Sequence, residues 1–184
     1  LVRLRNGRPR SAEWEYGPQI WSMHLLSAEH RQNTRLYDQW TLRLAFQQFE
    51  ESRIDRDFQD PMRTTRTEEV DAWSLNWDFS KMLPLGIQLF YGLEGVLNDV
   101  RSSGMETNIL NQSIRPGPAR YPLAQWTSYA AYATAQIPLG EKVRMQVGVR
   151  YNQFALNADF SNNQDFFPFQ DQTAELGRGA ITGS

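Results

Sequence analysis

A chain of 184 residues with a formal net charge of −2 has no global electrostatic pull toward nucleic acid, and having no cysteine it can hold neither disulfides nor zinc–thiolate sites. Hydrophobic residues make up 40% of the chain, its mean hydropathy is −0.60, and no apolar run approaches the ~20 residues a spanning helix needs. A membrane helix is excluded, but a membrane β-strand is not, because only its alternate residues must be apolar.

The chain opens on Leu1 with no basic patch before an apolar core, so any signal peptide lies outside it and the sequence reads as an excised internal piece. Arg3, Arg5, Arg8 and Arg10 straddle a turn-like Asn6-Gly7 and read as a solvated loop. Trp21, Met23 and Leu25 read as a weak member of an alternating apolar face that the following strands share, and residues 31–38 as a turn. From Trp40 the pattern is strong: Trp40, Leu42, Leu44 and Phe46 share one face of a strand, with Thr41, Arg43, Ala45 and Gln47 on the other. The same period returns at Trp73, Leu75, Trp77 and Phe79, then at Ile87, Leu89, Tyr91 and Leu93. It returns again at Val143, Met145, Val147, Val149 and Tyr151, whose opposite face carries Arg144, Gln146, Gly148 and Arg150. Residues 126–137 form a further strand, although alanines leave its facing open. These runs exceed the five or six residues usual in globular strands.

Between the strands the connections alternate in size. Residues 82–86 and 138–142 are tight Pro/Gly turns, whereas residues 102–121 and 161–172 are long and polar. Short periplasmic turns and long extracellular loops are the plan of an outer-membrane barrel. Residues 85–103 and 142–160 would then run outward, and residues 63–81 and 122–138 inward. Trp40, Trp77 and Phe79 fall near the short turns, where an interfacial aromatic girdle belongs.

Catalytic chemistry finds no foothold. His24 and His30 are six residues apart, which suits neither a helical nor a strand pair of metal ligands, so no metal or cofactor site is expected. Gly177-Arg178-Gly179 lacks the rest of a phosphate loop, and there is no nucleophile elbow. The charged arms 50–56 and 66–69 suggest a structural ladder on the interior face, with Arg53 opposite Glu68 and Asp55 opposite Arg66. Arg43, Glu51, Arg53, Glu68, Glu94 and Arg150 are the candidate lumen-facing residues. In the last loop Phe166, Phe167 and Phe169 are candidates for ligand contact, because aromatic rings in a polar loop are costly to leave wet.

Several blocks together resemble TonB-dependent outer-membrane receptors, in particular the haem or haemoprotein receptor-like group of Bacteroidetes-type bacteria. They are residues 46–53, 66–71, 91–94 with 98–100, 120–122, and Gly148-Val149-Arg150-Tyr151, which looks like that family's GxRY strand. Residues 179–184 resemble the start of a following strand. The resemblance implies a plugged barrel of about 22 strands that imports a scarce ligand, driven by TonB acting on the plug.

The sequence is thus expected to be an all-β, antiparallel transmembrane barrel segment of about six full strands plus partial ends. Residues 1–184 would be an internal part of the barrel domain, with the plug and the TonB box outside them. It is expected to be a receptor and not an enzyme, placed in the bacterial outer membrane. Its partners would be lipid, its own plug, TonB through that plug, and a small-molecule or haem ligand, with iron–siderophore or haem leading and no nucleic acid. The alternatives are a complete small barrel or porin, which eight strands could close, and a soluble all-β domain whose apolar face packs on a second sheet.

Overall fold

Unbroken two-residue alternation lets a strand keep pairing for as long as both faces remain usable, and the strands here are correspondingly long. The computed structural model describes residues 4, 5, 8–161 and 165–183. A small ribbon of β1 (Leu4–Arg5) and β2 (Arg8–Pro9) comes first. It is followed by β3 (Ser11–Arg31), β4 (Gln39–Asp57), β5 (Met62–Met82), β6 (Gln88–Asn108), β7 (Ile114–Pro116), β8 (Leu123–Pro138), β9 (Arg144–Asp159) and β10 (Gln172–Gly183). The Asn6-Gly7 turn expected from the sequence lies outside the described residues, as does Ser184.

The long strands form one antiparallel meander in the order β10-β9-β8-β6-β5-β4-β3, with β7 beside the outer part of β6. Six strands, β3 to β6 with β8 and β9, have 16 to 21 residues, and β10 has 12, which agrees with six full strands and a partial end. At ~3.3 Å per residue a 21-residue strand is about 70 Å long, more than twice the ~25 Å apolar band of a membrane barrel.

Side-chain pairing fixes the register. Leu42 faces Trp77, Leu44 faces Leu75 and Phe46 faces Trp73, while Trp77 faces Leu93 in turn. Leu93 continues to Ala131 and Ala131 to Tyr151, so one face stays apolar from β4 to β9. A slip by one residue would invert every side chain, and the continuity of this face opposes it. The hydrogen-bonded row through Phe46 passes Trp73, Leu97 and Thr127 and meets β9 at Ala155, beyond the apolar run of β9 that stops at Tyr151. The apolar band therefore crosses the rows obliquely, as it does where strands are tilted.

Among the described residues no second sheet covers that face: Trp73 is 47% exposed and Leu93 49%. Among the described residues no pairing joins β3 to β10, so the sheet does not close on itself. Neither the small complete barrel nor the soluble sandwich matches this arrangement.

Three expectations are corrected. Trp21, Met23 and Leu25 lie opposite Phe49, Gln47 and Ala45, on the polar face of the sheet and not with Leu42 and Leu44. A register shift at Tyr16/Gln19, around Gly17-Pro18, accompanies this strand. Arg53 stands opposite Arg66, and Glu51 opposite Glu68, two residues away from the expected ladder. The apolar pairs of β4 and β5 set that register, and the charges follow it. The connection expected from Ser102 begins only after Asn108, because polar Ser102 and Gly104 still pair within the sheet, opposite Glu68 and Arg66.

Candidate functional site

All six candidate residues Arg43, Glu51, Arg53, Glu68, Glu94 and Arg150 lie on the polar face, placed there by the registers of β4, β5, β6, β8 and β9. They form two groups. The first lies toward the short-turn end, where Arg150 on β9 grips Glu94 on β6 with two guanidinium nitrogens, Nη1 at 3.1 Å from Oε1 and Nη2 on Oε2. Its Nε donates to Asn152 at 2.8 Å. Arg43 Nη1 donates to Asp78 at 2.9 Å, and the Tyr132 hydroxyl donates to the other oxygen of that carboxylate at 2.5 Å. The Arg150 guanidinium also lies 5.9 Å from the Tyr132 ring centre, joining the two pairs into one polar chain. Asp78 and Tyr132 were missed by the sequence reading, which followed charged residues at strand centres and gave the tyrosine no role.

The second group is nearer the long-loop end. Glu51 Oε1 is 3.4 Å from both Arg53 Nη2 and Arg120 Nη1, and Arg66 donates to Asp55. Asp55 and Arg66 thus meet diagonally instead of directly opposite. Arg53 lies over the Tyr16 ring at 4.7 Å. Trp14, Tyr16, Arg53, Asp55, Arg66 and Arg120 border a depression of about 210 Å³. Glu68 is only 4% exposed, and neither carboxylate oxygen has a hydrogen-bond partner.

Beside Glu68, at its pairing partner Ser102, the chain forms a bulge. After β7, residues 117–121 fold back onto the polar face of β6. Gly117 N donates to Gly104 O at 3.0 Å, and Ser102 Oγ accepts from the amides of Arg120 and Tyr121, each at 3.2 Å. Gly104 is required there, since a Cβ would come within 2.2 Å of the Pro118 carbonyl oxygen. From the bulge, Arg120 spans β5 to reach Glu51 on β4. This fold-back has no signal in the sequence, where residues 102–121 read simply as polar loop.

On the apolar face, Trp40, Trp77 and Phe79 meet near the short turns. Trp40 and Trp77 have ring centres 6.5 Å apart, Trp77 and Phe79 5.0 Å apart, and Tyr91 stacks on Phe79 at 5.0 Å. His30 stacks on Trp40 and His24 on Phe46, so both histidines belong to aromatic rows. Below this cluster Lys81 Nζ donates to Asp38 at 2.6 Å and the Met82 amide donates to the other Asp38 oxygen at 2.7 Å. The lysine contact, then the amide, hold the Asp38 carboxyl below its ordinary pKa. Farther out on this face Arg101 bridges Glu69, Asp71 and Asp99.

In the last loop Phe167 and Phe169 stack at 6.4 Å, and Phe160, which the sequence reading passed over, meets Phe169 edge-on at 5.7 Å. Phe166 takes part in none of these ring contacts and is 41% exposed. Among the described residues no three potential metal-ligating side chains come together.

Comparison with known proteins adds three findings. A family model described as "TonB dependent receptor-like, beta-barrel" matches residues 2–182. No curated protein matches the chain. Among solved structures the copper transporter OprC superposes with a TM-score of 0.71 at 11% identity, over 91% of this chain and 27% of that one. At that identity the likeness concerns the fold, and the chain spans about a quarter of that transporter's length.

Proposed function

The chain belongs to the TonB-dependent receptor-like β-barrel family, and from that premise we propose that it forms an internal part of the wall of a bacterial outer-membrane receptor that imports a scarce extracellular ligand. The family is one of receptors and transporters, and its barrels are outer-membrane proteins. The carrying observation is the two-faced meander: one face stays apolar and uncovered across β4 to β9, while its reverse holds two clusters of paired charges. Lipid solvates the first face, and the second lines a lumen.

In this reading Trp40, Trp77 and Phe79 form the girdle at the periplasmic interface, because they adjoin the short turns. Arg43, Glu51, Arg53, Glu68, Glu94 and Arg150 face the lumen. The bulge at residues 117–121 narrows the lumen from the outer side, and Phe166, Phe167 and Phe169 stand where an incoming ligand first meets the barrel. A plug and the TonB-coupling segment belong to other parts of the polypeptide. Iron–siderophore or haem leads as the ligand, on the strength of the block resemblance.

The test is growth of a strain lacking the full-length gene on ferric siderophore, haem, or copper as the limiting nutrient, with the protein followed by fractionation. Recovery in the outer membrane together with lost growth on an iron source supports the proposal. Recovery in the soluble fraction would remove the wall reading, and a defect confined to copper would remove the ligand reading alone.

A further inference from the structure

The β3–β4 turn is hooked onto the apolar face of the sheet, next to its aromatic cluster. Lys81 lies on that face of β5, two residues past Phe79, and its Nζ donates to Thr34 O at 2.7 Å and Asn33 Oδ1 at 3.0 Å as well as to Asp38. The Tyr91 hydroxyl donates to Leu36 O at 2.7 Å, and the Tyr37 ring lies 6.0 Å from that of Phe79. The turn is also braced internally: Thr34 N donates to Tyr37 O at 2.9 Å, and Thr34 Oγ1 accepts from the Leu36 and Tyr37 amides. At its tip stand Leu36, 74% exposed, and Arg35, exposed and without an ion pair among the described residues. We propose that Arg35 and Leu36 dock a phospholipid of the periplasmic leaflet, Leu36 entering between its acyl chains and Arg35 holding its headgroup phosphate. The proposal rests on the wall reading above, which turns this face to the bilayer and puts the short turns at its periplasmic side.

Three considerations select the occupant. The ties to Lys81 and Tyr91 hold the tip on the outer side of the wall, out of reach of anything inside the barrel. It adjoins Trp40, Trp77 and Phe79, which the same reading places at the membrane–water boundary, so its apolar side chain and its cation fall where acyl chains give way to phosphates. The other charges of the turn are already paired, Asp38 with Lys81 and Arg31 with Glu29, which leaves the Arg35 guanidinium for an outside anion. Because Thr34 braces the turn, Leu36 does not fold back onto the protein, and its surface is covered by lipid or left in water.

The segment has no cysteine, so Leu36→Cys in the full-length receptor carries a single spin label within it, with the unsubstituted receptor as the blank. The receptor is reconstituted in bilayers of phosphatidylethanolamine and phosphatidylglycerol and probed with molecular oxygen and a water-soluble nickel chelate. Leu93→Cys on the apolar face is the bilayer reference, and Leu110→Cys, 81% exposed between β6 and β7, is the water reference. Leu36→Cys is expected to follow Leu93→Cys, relaxed by oxygen and shielded from the chelate. Native mass spectrometry in mild detergent then measures bound phosphatidylglycerol, which Arg35→Gln should weaken about fivefold, with no change for a phosphate-free glycolipid of the same chains. A Leu36 label as open to the chelate as that of Leu110 overturns the docking and, with Leu93 shielded, leaves the wall reading intact. A label closed to both reagents means that protein covers the tip and overturns it equally. Undiminished phosphatidylglycerol binding by Arg35→Gln overturns the phosphate contact. A Leu93 label open to the chelate overturns the wall reading itself, and the docking with it.

Discussion

Tyr132 on β8 donates to Asp78 on β5 across an intervening strand, and it can do so because Gly92 of β6 leaves its place in the row empty. A Cβ on Gly92 would come within 2.7 Å of both the Tyr132 hydroxyl and the Trp77 carbonyl oxygen. The ring could swing away, but the carbonyl belongs to the sheet. Gly92→Ala should therefore destabilise the barrel by about 1–3 kcal/mol and break the Tyr132–Asp78 bond. On the other face the nearest atom to a Cβ on Gly95 is Tyr129 Cδ1 at 3.7 Å, an ordinary contact, so Gly95→Ala should change stability by less than about 1 kcal/mol. Thermal unfolding of the full-length receptor in detergent, read by its heat-dependent gel mobility, compares the two. Equal effects would remove the role given to Gly92.

Glu51 and Glu68 are direct neighbours across β4 and β5, yet they should respond differently to neutralisation. Glu51 is shared by Arg53 and Arg120, so Glu51→Gln weakens two charge-assisted contacts and should cost about 1–3 kcal/mol. Glu68 is buried with both oxygens unbonded, and Glu68→Gln relieves a desolvated charge while removing no hydrogen bond. It should be close to neutral, within about 1 kcal/mol. The same gel assay reads both variants, and a larger loss for Glu68→Gln than for Glu51→Gln would contradict the assignment.

The contrast marks how far the sequence was legible. Period-two alternation revealed the strands from Trp40 onward and placed Arg43, Glu94 and Arg150 on one face, because each strand had a clear apolar side. β3 was misread because both of its faces carry large apolar residues, Trp21 and Leu25 on one and Leu26 on the other, so local alternation holds no information about facing. Only pairing with β4 decides it. The charged arms showed their composition but not their register, which the distant pairs Leu44–Leu75 and Phe46–Trp73 set. The bulge at residues 117–121 is a tertiary feature, visible only when Gly104 and Pro118 are brought together.

At the short-turn end, Asp38 ties the β3–β4 turn to Lys81 and Met82 of β5. Its folded pKa is depressed, so its contribution is present above the ordinary value of 3.8 and is lost as pH falls through the lower folded value. The turn should consequently stay anchored at every pH above about 4 and loosen only in stronger acid. Hydrogen exchange at the Met82 amide, compared with Asp38→Asn at each pH, is the check. Wild type should be the better protected above pH 4, with the difference vanishing in stronger acid. A difference that vanishes near neutrality would show that Asp38 is not the anchor.

Ser102 is 1% exposed, and its hydroxyl oxygen is the acceptor for two consecutive amides, Arg120 and Tyr121, that have left the sheet. Such amides need a partner, since a buried unpaired N–H costs about 1–3 kcal/mol. Ser102→Ala removes the acceptor without adding bulk, so the bulge at residues 117–121 should lift and release Arg120 from Glu51. Ser102→Thr keeps the hydroxyl and should restore most of the effect if its extra methyl is accommodated. The expected signature is faster hydrogen exchange at Arg120 and Tyr121 in Ser102→Ala, with the β6 amides paired to β5 unchanged. A uniform rise across β5 and β6 would mean that Ser102 supports the sheet and not the bulge. Unchanged exchange at both loop amides would mean that other contacts, such as the Gly117 amide on Gly104, suffice to hold it.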